Sequence, residues 1–444
     1  MKRLVPQKLK NIYHLFQAIL ANIRYGFPTR KMKTIGITGT DGKTTTCQMV
    51  AKILEEAGKK VAMASTINFR INGEEEKNLS HFTTLSAFAV QKFARRAVDA
   101  GCEYLVLETS SHSLDQYRVW GVDYKTAVIT NVTREHLDYH QTMEEYRQAK
   151  ARLFKKVQLA IVNLDMEKPE EYFDRGAGNI LGYGLKIQNP KLQISNKCKI
   201  QNQKFKTVIA QNIELGIDKS AFSVGDQKFI LNLIGDFNIE NALAAISVGV
   251  SENIDLATCA RALEKITGVP GRMEYVPNGR GLNILVDFAL TPIALEKLYL
   301  VLLKIKKPEA RIIAVFGSCG ERDRGKRPIM GAVVSKYADF VIVTDDEPYH
   351  ENPVQIINEI FYGVIGQRMA DEIPNQDPNK KIEGENCWRI TGRREAIRKA
   401  LEIAKPEDII AVTGMGAEES MIVGDEKIPW NDRQVILEEL KKIK

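Results

Sequence analysis

The sequence predicts a chain of two α/β domains, the first of them built around a phosphate-binding loop. A Gly-rich turn at 36–46 stands between a β-prone run and a segment with helical periodicity. Short apolar strands then alternate with helical segments as far as about Ile161, which is typical of a parallel sheet covered on both faces. A second series of buried-strand runs begins after the Gly-Val-Pro-Gly linker at 268–271, and it predicts another α/β unit of Rossmann-like type.

The composition bounds the class of protein. With 444 residues, 44% hydrophobic and 27% charged, the chain is long enough for two or three globular domains. No apolar run approaches the roughly 20 residues of a membrane span. Six scattered cysteines without Cys-x-x-Cys spacing argue against a zinc ribbon or a disulfide framework. We therefore expect a cytoplasmic protein, and a monomer.

The first element is a basic amphipathic helix. Residues 1–33 carry eight lysines or arginines and no acid. The helix can dock on the protein body with its charges solvated, or it can lie on an anionic membrane surface through residues 1–30. A nucleic-acid partner is not expected, because no fold motif or aromatic-basic platform accompanies the charge. The apolar residues that recur at helical spacing are Leu9, Ile12, Tyr13, Phe16, Ile19, Leu20 and Ile23.

The later elements divide the chain further. Between 190 and 234, short segments such as Leu192-Gln193-Ile194, Thr207-Val208-Ile209 and Phe229-Ile230-Leu231 predict an antiparallel β-rich insertion. A helical stretch from Asn238 to about Ile266 follows. We expect an extension at 1–33, a central ATP-binding domain at 34–268 and a C-terminal domain at 269–444. Buried-strand runs stand at 284–287, 312–317, 340–344 and 409–413.

The turn at 36–46 reads Gly-Ile-Thr-Gly-Thr-Asp-Gly-Lys-Thr-Thr-Thr. Such a turn points consecutive backbone N–H groups into one concavity at the positive end of a helix dipole, which makes a phosphate cradle. Lys43 can reach the β- and γ-phosphates of ATP, and the Thr44 hydroxyl can ligate Mg²⁺. The predicted ATP contacts in this loop are Gly39, Thr40, Asp41, Gly42, Lys43, Thr44 and Thr45.

Three further residues extend the phosphate site. Glu108 ends a strand run, where a carboxylate could hold the Mg²⁺ that Thr44 also contacts. His136 follows the next strand, and Lys150 comes fourteen residues later. Each residue type is usually structural when it stands alone. Beside a phosphate loop, a role in the chemistry is favoured.

The loop pattern Gly-x-x-Gly-Thr-x-Gly-Lys-Thr resembles the ATP loop of the Mur ligase family and of its folylpolyglutamate synthetase relatives. Further motifs stand in the order of that family, at 110–118, 135–140, 235–241, 271–274 and 320–328. They are most similar to the UDP-N-acetylmuramoyl-tripeptide synthetase branch, which adds the third amino acid of peptidoglycan. The resemblance covers nearly the whole chain after residue 33.

The resemblance implies a role for each matching position. The metal would be held by Thr44, Glu108, His136 and Lys150, with Lys150 carbamylated by CO₂. Asn238 and Asn241 would face the adenine, while Arg272 and Asp287 would contact the nucleotide. The muramyl-dipeptide acceptor would be held by Thr83, Thr84, Ser110, Gln116 and Arg118. The incoming amino acid would be held by Arg322, Asp346, Glu347, Gly414 and Glu418.

The implied reaction has two steps. The γ-phosphoryl group of ATP passes to the free carboxylate of the acceptor and gives an acyl phosphate. The amine of the next amino acid then attacks, and phosphate leaves as the amide forms.

The sequence also departs from the family pattern. Asp-Glu-Pro-Tyr at 346–349 replaces the Asp-Asn-Pro-Arg of diaminopimelate-adding enzymes, so the Arg that could grip a distal carboxylate is absent. We therefore predict that L-lysine or a related diamino acid is added. Leu290, Met415 and Ala417 stand where the family has His, Lys and His, which removes polar groups near the ATP and the amino acid. Asp41 stands where Asn is usual.

The N-terminal part departs as well. Some 33 residues precede the loop, too few for the family's globular uridine-binding domain of about 90 residues. We expect a truncated N-terminal domain and an acceptor that is bound without strong uridine recognition, such as a membrane-linked muramyl peptide.

Two other functions remain open. One is an ATP-dependent ligase on another carboxylate, such as a pseudomurein peptide, a lipid-linked muramyl peptide or a folate-type polyglutamate. The motif at 110–118 argues against the folate version only. The other is a non-catalytic nucleotide-binding scaffold. The five intact residues Lys43, Thr44, Glu108, His136 and Lys150 argue against the scaffold.

Overall fold

The structure is a computed structural model that describes residues 7–78, 82–133, 135–173, 175–185, 207–366 and 381–443. The chain divides into two compact units. The first unit holds residues 1–214 and 220–267, and the second holds residues 215–219 and 268–444. Among the helices of the described ranges, none is both long and apolar enough to cross a membrane.

The first unit is a mixed α/β unit whose main sheet has the strand order β4-β3-β2-β5-β1-β6-β7-β8-β9. Its strands are β1 (Lys33–Thr38), β2 (Val61–Ala64), β3 (Asn68–Ile71), β4 (Glu74–Lys77), β5 (Tyr104–Glu108), β6 (Tyr124–Ile129), β7 (Leu159–Asn163), β8 (Asn179–Gly184), β9 (Thr207–Ile209), β10 (Gln211–Leu215), β11 (Ser220–Val224) and β12 (Gln227–Leu231). Its helices are α1 (Gln7–Tyr25), α2 (Lys43–Glu56), α3 (Ala87–Asp99), α4 (Ser111–Asp115), α5 (Leu137–His140), α6 (Met143–Ala151), α7 (Asp236–Ser251) and α8 (Leu256–Glu264).

The centre of this sheet positions the candidate site. β1 lies between β5 and β6 and runs parallel to both, and β2 is parallel to β5. The carboxyl ends of parallel strands meet at one edge of a sheet, so the loops after β1, β2, β5 and β6 are neighbours. The apolar runs predicted as strands are buried here, because helices cover the sheet.

The predicted β-rich insertion is present in part. β11 and β12 pair in antiparallel fashion, and β10 completes a three-stranded sheet. Thr207–Ile209 differs from the prediction, because β9 pairs in parallel with β8 and extends the main sheet. A three-residue apolar run carries no signal that identifies its partner strand. The segment 192–194 lies outside the described residues.

The predicted N-terminal helix is α1, which packs against α3. The helix therefore docks on the protein body, which is one of the two predicted alternatives. Most of the apolar residues at helical spacing are nevertheless exposed, and the buried residues of the helix include Ala18, Ala21 and Asn22.

The second unit is an open, mostly parallel sheet with the order β13-β14-β18-β15-β16-β17. All neighbouring pairs are parallel except β13 and β14. The four predicted strand runs after the linker are confirmed. The strands are β13 (Glu274–Val276), β14 (Asn283–Asp287), β15 (Ile312–Phe316), β16 (Phe340–Thr344), β17 (Cys387–Ile390), β18 (Ile409–Thr413), β19 (Ser420–Val423) and β20 (Glu426–Pro429). The helices are α9 (Pro292–Ile305), α10 (Lys326–Tyr337), α11 (Pro353–Val364), α12 (Arg393–Ile403) and α13 (Asp432–Leu440).

Candidate functional site

The loop between β1 and α2 passes close to two other elements. Gly39 and Gly42 have φ values of 153° and 81°, which disfavour other residues. A Cβ atom at Gly39 would collide with the Thr130 hydroxyl, and one at Gly42 would collide with the Asn241 side chain. The first helical hydrogen bond of α2 runs from the Thr46 N–H to the Gly42 carbonyl. The N–H groups before it have no acceptor within the helix, so they can bind an anion.

The residues after β6 hold this loop in place. The Asn131 side chain accepts a hydrogen bond of 2.9 Å from the Asp41 N–H, and the Thr130 hydroxyl donates one of 2.6 Å to the Asp41 carbonyl. The Thr40 hydroxyl lies 3.1 Å from the Tyr146 hydroxyl. Sequence reasoning did not assign Thr130, Asn131 or Tyr146 to the site. Thr130 and Asn131 directly follow β6, the strand beside β1, and Tyr146 lies four residues before Lys150. These positions in the sequence could have indicated a role in the site.

Two lysines converge on one carbonyl oxygen. Lys43 Nζ donates to the carbonyl oxygens of Gly39 and Thr40, at 3.1 and 2.8 Å, and Lys150 Nζ donates to Gly39 at 2.6 Å. Lys150 is 1% exposed and lies over the Tyr146 ring. Burial, followed by the charge of Lys43, holds the pKa of Lys150 well below its usual range. The amine of Lys150 is therefore shifted toward its neutral, nucleophilic form.

Thr44 and Glu108, which the sequence predicts to hold the same Mg²⁺ ion, lie next to each other. The Thr44 hydroxyl lies 3.0 and 3.1 Å from the two carboxylate oxygens of Glu108. Thr66, which sequence reasoning missed, donates its N–H and its hydroxyl to the same carboxylate, at 2.7 and 2.9 Å. All these donors are neutral, and Glu108 is 1% exposed. A buried carboxylate beside a threonine hydroxyl offers the hard oxygen ligands that suit Mg²⁺.

His136 lies in a group of aromatic rings. It has a φ of 55°, and its ring centroid lies 4.8 Å from that of His112 and 6.0 Å from that of Tyr146. Its Nε2 atom is 3.6 Å from a carboxylate oxygen of Glu135. In the part of the chain that the structure describes, no three His, Cys, Asp or Glu side chains form a metal-binding group. The structure thus pairs Thr44 with Glu108 and Lys43 with Lys150, while His136 lies with His112 and Tyr146.

Three of the predicted acceptor residues form a polar cluster beside Glu108. The Thr84 hydroxyl donates to the Glu108 carbonyl at 3.0 Å and accepts from the Ser110 N–H at 2.9 Å. Arg118 donates to the Thr84 carbonyl at 2.7 Å. Thr83 precedes this cluster in the same loop, and Gln116 ends α4.

The two predicted adenine contacts are buried on α7. The Asn241 amide donates to the Asn238 side chain at 3.2 Å, and the Thr46 hydroxyl donates to Asn241 at 3.3 Å. Asn238 also donates to the Ile234 carbonyl. Thr45 is buried in the first turn of α2. Asn241 therefore links α7 to the helix that begins at the phosphate loop.

In the second unit, Asp287 organises the start of the domain. Its carboxylate accepts the N–H groups of Met273 and Ala289, at 2.7 and 2.8 Å. The Arg272 guanidinium lies 4.8 Å from the centre of the Phe288 ring. A Cβ at Gly271 would collide with the backbone at Ala417, one of the positions that depart from the family pattern.

Asp346 is the most unusual side chain of the second unit. It is 1% exposed, and neither carboxylate oxygen has a hydrogen-bond partner among the described residues. Burial is the main reason why the pKa of Asp346 is raised to about 7. A Cβ at Gly414 would lie 2.6 Å from its Oδ2 atom. An unpartnered buried carboxylate against a glycine is suited to an ammonium group.

The other predicted amino-acid contacts lie in nearby loops of the same sheet edge or directly after β18. Arg322 is exposed, and its guanidinium lies 5.9 Å from the centre of the Tyr349 ring. Glu347 is half-buried, and its carbonyl accepts the Gly320 N–H at 2.7 Å. The Glu418 N–H donates to Met415, which is itself buried. The Leu290 carbonyl accepts from Lys326 Nζ at 2.9 Å.

A buried ion pair, which sequence reasoning missed, positions two of these loops. Arg393 and Asp432 are 3% and 0% exposed and are joined by two hydrogen bonds, at 2.8 and 2.6 Å. Arg393 also donates to the carbonyls of Asp345 and Thr413, at 3.2 and 2.9 Å. These carbonyls directly precede Asp346 and Gly414. No pattern in the sequence distinguishes Arg393 from the other arginines of α12.

Two family models together match most of the chain. The Mur ligase middle domain matches residues 37–249, and the Mur ligase, glutamate ligase domain matches residues 271–416. The UDP-N-acetylmuramoyl-L-alanyl-D-glutamate–2,6-diaminopimelate ligase of Syntrophomonas wolfei is 38% identical over 433 residues, 96% of this chain and 81% of the relative. The UDP-N-acetylmuramyl-tripeptide synthetase of Roseiflexus sp. is 37% identical over 94% of this chain and 80% of the relative.

Two solved structures have a fold similar to that of this chain. A UDP-N-acetylmuramoyl-L-alanyl-D-glutamate–2,6-diaminopimelate ligase matches with a TM-score of 0.61 and 28% identity, over 93% of this chain and 78% of that chain. A pseudomurein peptide ligase type C from Methanothermus fervidus matches with a TM-score of 0.60, over 93% and 79% of the two chains. At 21% identity, the second likeness shows the fold alone.

Substitution of Asp346 by Asn is expected to stabilise the protein in a pH-dependent manner. Below about pH 4 the carboxyl group is protonated in both the folded and the unfolded chain. As the pH rises toward about 7, the unfolded chain loses this proton while the folded chain keeps it, so the wild type loses stability relative to Asp346→Asn. The difference should reach roughly 2–4 kcal/mol at neutral pH. Urea unfolding of both proteins across this range measures it, and a constant difference would contradict the raised pKa.

Proposed function

We propose that this chain, which belongs to the Mur ligase family, is an ATP-dependent amide ligase. It adds an amino acid to the free carboxylate of a muramyl-dipeptide acceptor in peptidoglycan precursor synthesis. The observation that carries this proposal is the arrangement in the first unit. There the loop with Lys43 and Lys150, the Thr44–Glu108 pair and the Thr84–Ser110–Arg118 cluster lie along one sheet edge.

The phosphate loop would bind the triphosphate of ATP through its backbone N–H groups and Lys43. Thr44 and Glu108 would hold Mg²⁺, which neutralises negative charge on the β- and γ-phosphates when it is bound. Asn238 and Asn241 in the first unit, with Arg272 and Asp287 in the second, are assigned to the rest of the nucleotide. The donor chemistry fits, because the hydrogen bonds that Glu108 accepts from Thr44 and Thr66 come from neutral groups.

The reaction proceeds through an acyl phosphate. An oxygen of the acceptor carboxylate attacks the γ-phosphorus, and the bond from that phosphorus to the bridging oxygen of ADP breaks. The amine of the amino acid then attacks the acyl carbon, loses a proton and forms the amide, while phosphate leaves with the former carboxylate oxygen. Lys43 stabilises the charge that develops in the first step. Thr83, Thr84, Ser110, Gln116 and Arg118 are assigned to the acceptor.

Lys150 is assigned as a carbamate. Only a neutral amine adds to CO₂, and the addition forms an N–C bond with release of one proton. Burial beside Lys43 favours the neutral amine. The carbamate would place an anion near Gly39, and this anion would pair with Lys43 or help His136 to hold a metal ion.

The second unit would bind the incoming amino acid. Asp346 is assigned to an ammonium group, with Arg322, Glu347, Gly414 and Glu418 around the same substrate. Tyr349 stands where diaminopimelate-adding enzymes carry Arg, so a substrate without a distal carboxylate is favoured, namely L-lysine or a similar diamino acid.

These assignments define the domain organisation of the chain. Residues 34–268 form the ATP-binding domain and residues 269–444 the C-terminal domain, and residues 1–33 form an extension. We place the enzyme in the cytoplasm as a monomer, with peripheral membrane contact through residues 1–30.

Substitution of Lys150 by Ala should lower the rate of phosphate release at least about a hundredfold, the effect expected when a charged group is lost from the transition state. The wild-type rate should fall in CO₂-depleted buffer and return with bicarbonate, while Lys150→Ala should not respond. Lys155→Ala, an exposed lysine on the same segment, serves as the matched control. An undiminished rate for Lys150→Ala would refute the role of Lys150.

A substrate panel tests both the ligase activity and the amino acid. Phosphate release from ATP should require the muramyl-dipeptide acceptor and an amino acid together. L-lysine should give a higher kcat/KM than diaminopimelate, and Tyr349→Arg should shift the preference toward diaminopimelate, because the guanidinium can bind the distal carboxylate. Selective turnover of diaminopimelate by the wild type would refute the lysine assignment. No turnover with any acceptor would refute the ligase function.

A further inference from the structure

Helix α1 has one face against the protein body. Ala18 and Ala21 are fully buried, and α1 packs against α3. Asn22 is also buried and donates to the Trp120 carbonyl at 2.8 Å. Small side chains allow close approach of the two helices, so this face needs no further partner.

The opposite face of α1 is apolar and exposed. Successive residues of a helix are about 100° apart around its axis. At that spacing, the six exposed large apolar side chains of α1 fall in one sector, and the buried alanines fall on the opposite side. Their exposed fractions lie between 42% and 64%. Contiguous apolar surface of this kind marks a docking site. The members of this apolar stripe are Leu9, Ile12, Tyr13, Phe16, Leu20 and Ile23.

The charge around the apolar stripe indicates what covers it. Helix α1 contains three lysines or arginines and no acid. Lys10 and Arg24 lie beside the stripe by their helical positions. A second copy of this surface would bring like charges together, whereas the interface of an anionic bilayer accepts both the apolar side chains and the cations.

We propose that α1 lies in the interface of an anionic lipid bilayer and holds the acceptor-binding loop, residues 116–118, at the membrane surface. The acceptor is then a muramyl peptide carried by a membrane lipid. This inference rests on the proposed ligase function and adds the carrier of its acceptor.

The connection from α1 to the loop runs through Asp115. The Asn11 amide donates to the Asp115 carboxylate at 3.0 Å and to its carbonyl at 3.2 Å. Tyr139 and Arg152 contact the same carboxylate, at 2.8 and 3.0 Å. Asp115 directly precedes Gln116, one of the assigned acceptor residues. When α1 lies on a bilayer, these contacts therefore fix the distance between the acceptor-binding loop and the membrane surface.

Vesicle sedimentation tests the docking. The wild type should bind phosphatidylcholine vesicles that contain roughly 30% phosphatidylglycerol, and bind less at high salt. Phe16→Glu/Ile23→Glu should bind at least about tenfold more weakly, because two charges replace buried apolar area. Leu300→Glu/Leu303→Glu carries the same changes on an exposed face of α9 and should bind like the wild type. Failure of the wild type to bind, or equal binding by both variants, would overturn the proposal.

Activity measurements separate the docking from the ligase function. Phe16→Glu/Ile23→Glu should turn over a water-soluble muramyl-dipeptide acceptor like the wild type, which also shows that it folds. With a lipid-linked acceptor in the same vesicles, its kcat/KM should fall at least about tenfold. Asn11→Ala should raise the KM for the acceptor while the KM for ATP and vesicle binding stay unchanged. Light scattering tests the alternative that a second copy of the chain covers the apolar stripe. If the wild type is a dimer and Phe16→Glu/Ile23→Glu is a monomer, the proposal is wrong.

Discussion

Two lysine side chains share the carbonyl oxygen of Gly39, and the chemistry of the first unit depends on how that charge is balanced. Burial and the charge of Lys43 shift the Lys150 amine toward its neutral form, and the charges of Glu135 and Asp41 oppose that shift. The phosphate loop supplies N–H groups that attract an anion to the same place. The triphosphate of ATP and a carbamate on Lys150 would each relieve the repulsion. The loop N–H groups and the Lys43 ammonium group thus prepare this site for anionic substrates.

The second unit instead contains a buried negative charge. Asp346 is buried without a hydrogen-bond partner among the described residues, and Arg393 is already occupied by Asp432 and by two loop carbonyls. A cation would pair with this carboxylate, and the ammonium group of the proposed amino-acid substrate would supply one. With the proposed site assignments, the two units suit the two halves of an amide ligation, since the first would bind phosphates and a carboxylate and the second would bind an amine. The folded protein holds the two lysines and the buried Asp346 carboxylate in place because sheet edges and buried ion pairs fix the loops that carry them.

The sequence predicts much of this organisation and misses identifiable parts. The strands beside the phosphate loop could be predicted because buried parallel strands are continuous apolar runs. Lys43, Thr44 and Glu108 could be predicted because their positions after strands follow a known pattern. Thr66, Arg393 and Asp432 could not, because their roles depend on which distant residues the fold brings to them. The exposure of the apolar stripe on α1 could not be predicted either, since periodicity identifies an apolar face without saying what covers it.

The transfer of oxygen from the acceptor to phosphate tests the central mechanism most directly. The acceptor carboxylate is labelled with ¹⁸O, the reaction is run with ATP and L-lysine, and the released phosphate is examined by mass spectrometry. An acyl phosphate requires that each phosphate released carries one oxygen from the acceptor carboxylate. Phosphate that contains ¹⁸O is the predicted result. Unlabelled phosphate, formed while the amide product accumulates, would contradict the acyl-phosphate mechanism.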